Sequence, residues 1–375
     1  MNALALYGEI DMPIHNYHGF SRQFDRAEPS KYKAWMATDM HYFTSAQACA
    51  ITLDESLRRL RPDWTIEARD FERMMKYYSP DEYNQKKAQE SEADANLMVI
   101  GKALPHGTIP SLERYARPDR TVLVMVDSFL VEYVQKYPWL LDKLNEYAAI
   151  FEQSVTGVSI LQNLGLTNSR VLYPYRIWSD ADLRRVKPRQ NLKRLVWYGN
   201  YYNAKVCEST IQAVRSYNAN HPDAPLRFDI YGPPNTTTEA QLSAVIADDP
   251  NIRMMGTLDG NHAVATLAQY DAMLRPSLEN NQSLLTVLLT AIAAGLPIIT
   301  TNHNYHGELV IDGRNGFLVP FGDQYAIESC LEQLTNDPEL LRSMSARNIA
   351  LFKALYSEKS TTRELLTTID RLMAY

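Results

Sequence analysis

Short apolar runs punctuate this chain, and stretches of helical character separate them. The first series is ALALYG (3–8), WTIEA (64–68), NLMVIG (96–101), TVLVMV (121–126), YAAIF (147–151) and RVLYPY (170–175). The second is RLVWYG (194–199), RFDIYG (227–232), NIRMMG (251–256), AMLRPS (272–277), PIITT (297–301) and GFLVP (316–320). Runs that are apolar along their length predict strands covered on both faces. Intervening helices predict that those strands pair in parallel. Between the two series lies RIWSDADLRRVKPRQNLK (176–193), a polar segment rich in Arg and Lys that contains Pro188 and reads as a linker.

The predicted fold class is therefore α/β: two Rossmann-like, doubly wound parallel-sheet domains facing across a cleft. The first spans 1–180 and the second 190–355, with a C-terminal helix at 356–375 packing back on the first. A chain of 375 residues exceeds one ordinary compact domain. In open parallel sheets, ligands bind beyond the carboxyl ends of the strands, where helix N-termini offer unpaired N–H groups. The stretch 9–40 shows no clear period and is expected to be an insertion that lines the cleft.

Composition narrows the class. The chain is 45% hydrophobic, with a formal net charge of −6, so its surface as a whole is not built for nucleic acid. Cys49, Cys207 and Cys330 are widely spaced with no C-x-x-C, which argues against a disulfide scaffold or a zinc site. The N-terminal residues lack a basic signal-peptide region. No window approaches the roughly 20 apolar residues that cross a bilayer. The expected location is the cytoplasm, with peripheral contact at a membrane surface compatible with it.

The stretch LENNQSLLTVLLTAIAAGLPIITTN (278–302) carries the densest signal. A polar run (Glu279, Asn280, Asn281, Gln282, Ser283) precedes an apolar helix that stops at Gly295, with Pro297 just beyond. The N–H groups of Gln282, Ser283, Leu284 and Leu285 are thereby candidates for binding an anion. Ser283 or Asn281 acting simply as an N-cap is the alternative.

Taken with GELVIDGRNGFLVP (307–320), this segment resembles the donor-site signature of retaining GT-B glycosyltransferases of the GT4 type. The likeness extends upstream through RLVWYGNYYNAKVCESTIQAV, FDIYG and NIRMMGTL, covering about 190–355. It implies a GT-B fold and transfer of a sugar from a nucleotide-diphosphate sugar to an acceptor hydroxyl, with retention. It implies no metal and no cofactor beyond the co-substrate. The family's phosphate-binding Lys falls on Lys205 and its Arg on Asn200, beside Tyr201, a loop aromatic suited to stacking on a sugar or base. Gly232 ends the second strand of the signature. The first signature Glu falls on Gln282 by spacing or on Glu279 by nearness to Pro276-Ser277, and the second on Thr290. His306 and Glu308 occupy the loop that meets the donor sugar.

Asp127 ends a predicted buried strand, where it orients a reacting hydroxyl or caps the next helix. His15, His18 and His106 are weaker candidates for acceptor contact. Other partners stay open at this point. Arg184, Arg185, Lys187, Arg189, Lys193 and Arg194 form a solvated surface, or they touch a lipid-linked glycan, a membrane or DNA. Some phage GT-B enzymes glycosylate a hydroxymethylated base in DNA. A GT-B partner or binding protein without catalysis, cited to Thr290 and Gln282, is the rival from another class. A GT-B epimerase or phosphorylase is a third reading.

Overall fold

The computed structural model describes residues 3–8, 45–70, 94–101, 117–126, 130–174, 178–199, 204–232, 236–278, 283–303 and 305–374. The chain forms two compact units. One comprises Met1–Tyr175, Asn281–Ser283 and Thr361–Tyr375; the other comprises Arg176–Asn280 and Leu284–Ser360.

The first unit is built on β1 (Ala3–Gly8), β2 (Thr65–Asp70), β3 (Ala95–Gly101), β4 (Thr121–Val126), β5 (Ala149–Glu152) and β6 (Ser169–Val171). These form one parallel sheet in the order β2-β1-β3-β4-β5-β6. β4 shows why the run TVLVMV is apolar throughout, since all six of its residues are buried. Successive side chains leave opposite faces of a strand. Val122, Val124 and Val126 join a core with Leu53 and Leu57 of helix Ser45–Leu60 and with Leu365 and Ile369 of helix Arg363–Met373. Leu123 and Met125 join the opposite core with Leu130, Val134, Leu144 and Leu161. Each fully buried Leu contributes about 1.5–3 kcal/mol.

The second unit contains β7 (Arg194–Tyr198), β8 (Arg227–Tyr231), β9 (Ile252–Gly256), β10 (Ala272–Arg275), β11 (Ile298–Thr301) and β12 (Gly316–Val319). They too pair in parallel, in the order β12-β11-β10-β7-β8-β9. Leu195, Trp197, Phe228 and Ile230 pack against Cys207, Ile211 and Val214 of helix Ala204–Asn220 and against Ile327, Leu331 and Leu334 of helix Gln324–Asn336. On one side of the central pair the chain runs β7, β8, β9; on the other it runs β10, β11, β12. The sheet reverses between β7 and β10, the switch point at which doubly wound sheets open a ligand crevice.

The mid-strand Asp229 is 1% exposed, an exception within apolar β8. Its carboxylate accepts both arms of the Arg253 guanidinium, at 2.9 and 3.0 Å, and the Tyr270 hydroxyl at 2.7 Å. Arg194 stands 3.8 Å away. The buried charge is thus paired and hydrogen-bonded, which offsets its desolvation. Burial, and then the hydrogen bonds of Tyr231 and Asp229, push the Tyr270 phenol above its usual range.

The 176–193 segment corrects the expectation of a solvated basic surface. Arg184 and Arg185 are exposed on helix Asp180–Arg185. Arg189 instead is buried. Its Nε donates to the Tyr270 carbonyl at 2.5 Å and an Nη to the Ala294 carbonyl at 2.7 Å, and its backbone N–H donates to Ser345 Oγ at 3.1 Å. Arg194 lies over the Tyr270 ring at 4.6 Å. A guanidinium reaches inward on a long apolar stem, so charge alone does not place a residue at the surface.

Candidate functional site

The candidate site is assembled from segments that leave the carboxyl ends of β7, β10 and β11 in the second unit. β7 is followed by Gly199, whose φ of 110° suits a residue without Cβ; the next helix is Ala204–Asn220. β8 is followed by Gly232, whose N–H donates to the Gly256 carbonyl at 2.9 Å. β10 ends at Arg275 and leads to helix Ser283–Ala293. That helix closes at Gly295, with φ of 68°, the left-handed residue expected just past a helix end.

Several predicted residues lie outside the described residues: Asp127, Glu279, Asn200, Tyr201, Gln282, His15, His18 and His106. Lys205, Ser283 and Leu284 belong to described helices, but their side chains also lie outside the described residues. Leu285 and Thr290 are buried. The Thr290 hydroxyl donates to the Thr286 carbonyl at 2.6 Å, so it is spent within its own helix. Glu308 is half-buried in helix His306–Leu309. Burial, followed by the nearby Glu308 charge, raises the Tyr356 phenol to about 12.

His306 is 2% exposed. Its Nδ1 lies 2.9 Å from the Thr301 carbonyl and 3.2 Å from Thr300 Oγ1. A carbonyl only accepts, so Nδ1 carries the proton and Nε2 presents a lone pair. Among the described residues Nε2 has no hydrogen-bond partner. The Thr300 hydroxyl donates to the Arg275 carbonyl at 2.9 Å, and Thr301 Oγ1 accepts the Ser277 N–H at 2.9 Å. β10, β11 and the His306 turn are thereby tied together.

Burial, with the His303 and Arg275 charges, pulls the His306 pKa from 6.5 to about 4. A base with a depressed folded-state pKa stabilises the fold fully above its unfolded value, and that stability is lost as pH falls from 6.5 towards 4. The shift corresponds to about 3 kcal/mol. His306→Asn is expected to flatten the stability profile across this window. Urea unfolding of both proteins at stepped pH measures it; parallel profiles would assign the slope to other groups.

Sequence inspection missed Arg275. Arg275 is 1% exposed, with Cζ 4.3 Å from the centre of the Trp197 ring. The available signal was an arginine interrupting the apolar strand just before Pro276-Ser277. The motif (312–319) that resembles Asp-Gly-x-Asn-Gly-x-Leu-Val proves to build the turn. Asn315 Oδ1 accepts the Ile311 N–H at 2.7 Å, and its Nδ2 donates to the Leu309 carbonyl and to Asn348 Oδ1, both at 2.9 Å. Asp312 accepts the Leu318 N–H at 2.9 Å. Among the described residues no group of three or more His, Cys, Asp or Glu is placed to hold a metal ion, and no helix is long and apolar enough to cross a membrane.

Two doubly wound parallel sheets with these switch-point segments define the GT-B class of fold. Residues 192–337 match the family model described as glycosyl transferases group 1, and this stretch is a domain of that family. The chain is 39% identical over 80 residues to a putative glycosyltransferase, EpsD, of Bacillus subtilis, covering 21% of this chain and 20% of that protein. Sucrose-phosphate synthase from Thermosynechococcus elongatus superposes with a TM-score of 0.68 at 13% identity, covering 100% of both chains. The HepE protein of Anabaena, solved with UDP and glucose, gives 0.66 at 12% identity, covering 99% of this chain and 100% of that one. The sequence matches span about a fifth to about half of the length of the curated relatives.

Proposed function

We propose that this protein is a glycosyltransferase that moves a sugar from a nucleotide-diphosphate sugar to an acceptor hydroxyl, with retention and without a metal. The observation that carries the reading is the coincidence of the group 1 match (192–337) with the sheet whose switch point lies between β7 and β10. As the glycosidic bond breaks, negative charge grows on the departing diphosphate. Preorganised positive potential at that point lowers the barrier. Lys205 supplies a point charge, and the N–H groups of 282–285 supply fixed dipoles. The departing phosphate oxygen accepts the proton of the incoming hydroxyl on the same face. Asp127 orients that hydroxyl, Glu279 contacts the donor sugar, and His306 Nε2 accepts a hydrogen bond from a donor hydroxyl. Acceptor recognition is assigned to residues of the first unit.

The acceptor proposed is a glycan, free or lipid-linked, met in the cytoplasm or at a membrane surface. The DNA reading leaned on the basic cluster from Arg184 to Arg194, and two of its six cations, Arg189 and Arg194, are engaged with Tyr270, Ala294 and Asp229. A second reading, binding without transfer, is favoured by the Thr290 hydroxyl being held in its own helix.

Thermal melting with UDP-, GDP- and ADP-sugars tests both. A donor at 100 times its dissociation constant adds about 2.7 kcal/mol. The expected result is a rise of several degrees with one nucleotide class, together with release of the nucleoside diphosphate when acceptor is added. No shift with any donor would overturn the reading, and a shift without turnover on any glycan would favour the binding protein.

A further inference from the structure

We propose that the open face of β7, β8 and β9 is a second binding surface, one that holds an acidic glycan by its carboxylates. The choice of a glycan rests on the acceptor reading above; the surface itself stands on its own residues.

Strand alternation defines the face. Phe228 and Ile230 point into the core with helices Ala204–Asn220 and Gln324–Asn336, so Arg227, Asp229 and Tyr231 leave β8 on the opposite side. Parallel register sets Arg194 beside Arg227 and Arg253 beside Asp229. Three arginines thus share one face. It is open to solvent: Arg227 is exposed, the side chains of Arg253 and Arg194 are 53% and 39% exposed, and Met255, two residues after Arg253, is 39% exposed. Arg194 and Arg227 head their strands, whereas the donor crevice lies at the carboxyl ends. Four residues at about 3.3 Å each separate the start of β7 from its end by about 13 Å.

Like charges side by side on neighbouring strands weaken a sheet, and Asp229 answers only part of this charge. It accepts from Nε and Nη2 of Arg253 and from the Tyr270 hydroxyl, which leaves Nη1 of Arg253 for an outside acceptor. Arg194 lies over the Tyr270 ring, 3.8 Å from Asp229 and beyond hydrogen-bond reach. Among the described residues Arg227 has no ion-pair partner. Asp271 accepts the backbone N–H groups of Lys193 and Arg194. Buried Asp229 therefore fixes the base of a patch whose outer donors are unspent. A guanidinium fork matches a carboxylate, and Met255 with the partly exposed Tyr231 presents apolar surface to a sugar ring. Three arginines fall short of the cluster of about four to eight basic residues that reads an anionic membrane. The net charge of −6 opposes the run of phosphate contacts on which DNA binding draws.

Calorimetric titration tests this with oligogalacturonate, a chain of uronates, and with a neutral glucan of equal length, against wild type, Arg227→Glu and Arg253→Lys. Arg227→Glu is expected to weaken oligogalacturonate binding about 3- to 10-fold. Arg253→Lys keeps a cation against Asp229 but loses the fork, and a loss of about 2- to 5-fold is expected. Raising the salt from about 0.05 to 0.3 M should weaken wild type more than Arg227→Glu, and the neutral glucan should not distinguish the three proteins. Wild type that fails to bind oligogalacturonate overturns the inference, as does unchanged affinity in Arg227→Glu. Displacement of the chain by saturating UDP, GDP or ADP would place it in the donor crevice and overturn the inference too. So would tighter binding of phosphatidylglycerol vesicles or duplex DNA that the same variants lose, which assigns the face to another polyanion. Should Arg253→Lys fail to fold, Arg227→Glu decides alone. The titration needs no donor: a failed nucleotide-sugar screen sinks the glycosyltransferase reading, and a failed titration sinks this inference by itself.

Discussion

Lys205→Ala is expected to lower turnover by about 10²-fold or more, the usual effect of removing one group that stabilises charge in the transition state. The physical case begins with the helix. Lys205 lies in the first turn of Ala204–Asn220, which has no acidic residue in that turn. A cation at a helix N-terminus opposes the macrodipole by a few tenths of a kcal/mol, so stability gives no reason for a lysine here. A phosphate gives one. The variant should keep its melting temperature, or gain slightly, while release of nucleoside diphosphate in the presence of acceptor collapses. Wild-type-like release rates would remove Lys205 from the mechanism. A fall in melting temperature matching the fall in rate would make it a structural residue.

Gly316→Ala is expected to destabilise the second unit by about 3 kcal/mol, at the upper end of overpacking costs. β12 pairs with β11 so closely that a Cβ on Gly316 would stand 2.2 Å from the Ile298 carbonyl oxygen and 3.0 Å from its nitrogen. Both are backbone atoms of the paired register, so relief requires the strands to part. Thermal melting should show a drop of about 6–12 °C for a unit of this size. Gly307→Ala is the control. There the nearest atom to a new Cβ is Asn302 Oδ1 at 4.0 Å, and a change within about 0.5 kcal/mol is expected. Similar losses at both positions would show that the β11–β12 contact is not what demands glycine.

Much of the fold was legible because its signals are local. TVLVMV and RLVWY announce strands covered on two faces. Leu-Pro after Ala-Gly announces a helix end, and the Asp-Gly-x-Asn-Gly turn announces the edge strand that follows. The site was legible only in outline. His306 was found from its loop, yet the state of its two ring nitrogens follows from Thr300 and Thr301, six and five positions earlier, which the turn folds back against the ring. Arg189 read as solvated because the residues around it are charged. Its partners, Tyr270, Ala294 and Ser345, lie about 80 to 156 positions further along.

The amino-acid sequence by itself determined the class of protein: twelve strands in two series, helices between them, and a group 1 signature on the second series. Periodicity and turn chemistry act between near neighbours, so they survive in one dimension. Only the tertiary structure decided which charges meet. It brought Arg275 beside Trp197 and Gly199 and set Asp229 between Arg253 and Tyr270. A buried charge or an apolar face is satisfied by whatever the fold delivers to it, and parallel sheets deliver partners from distant segments.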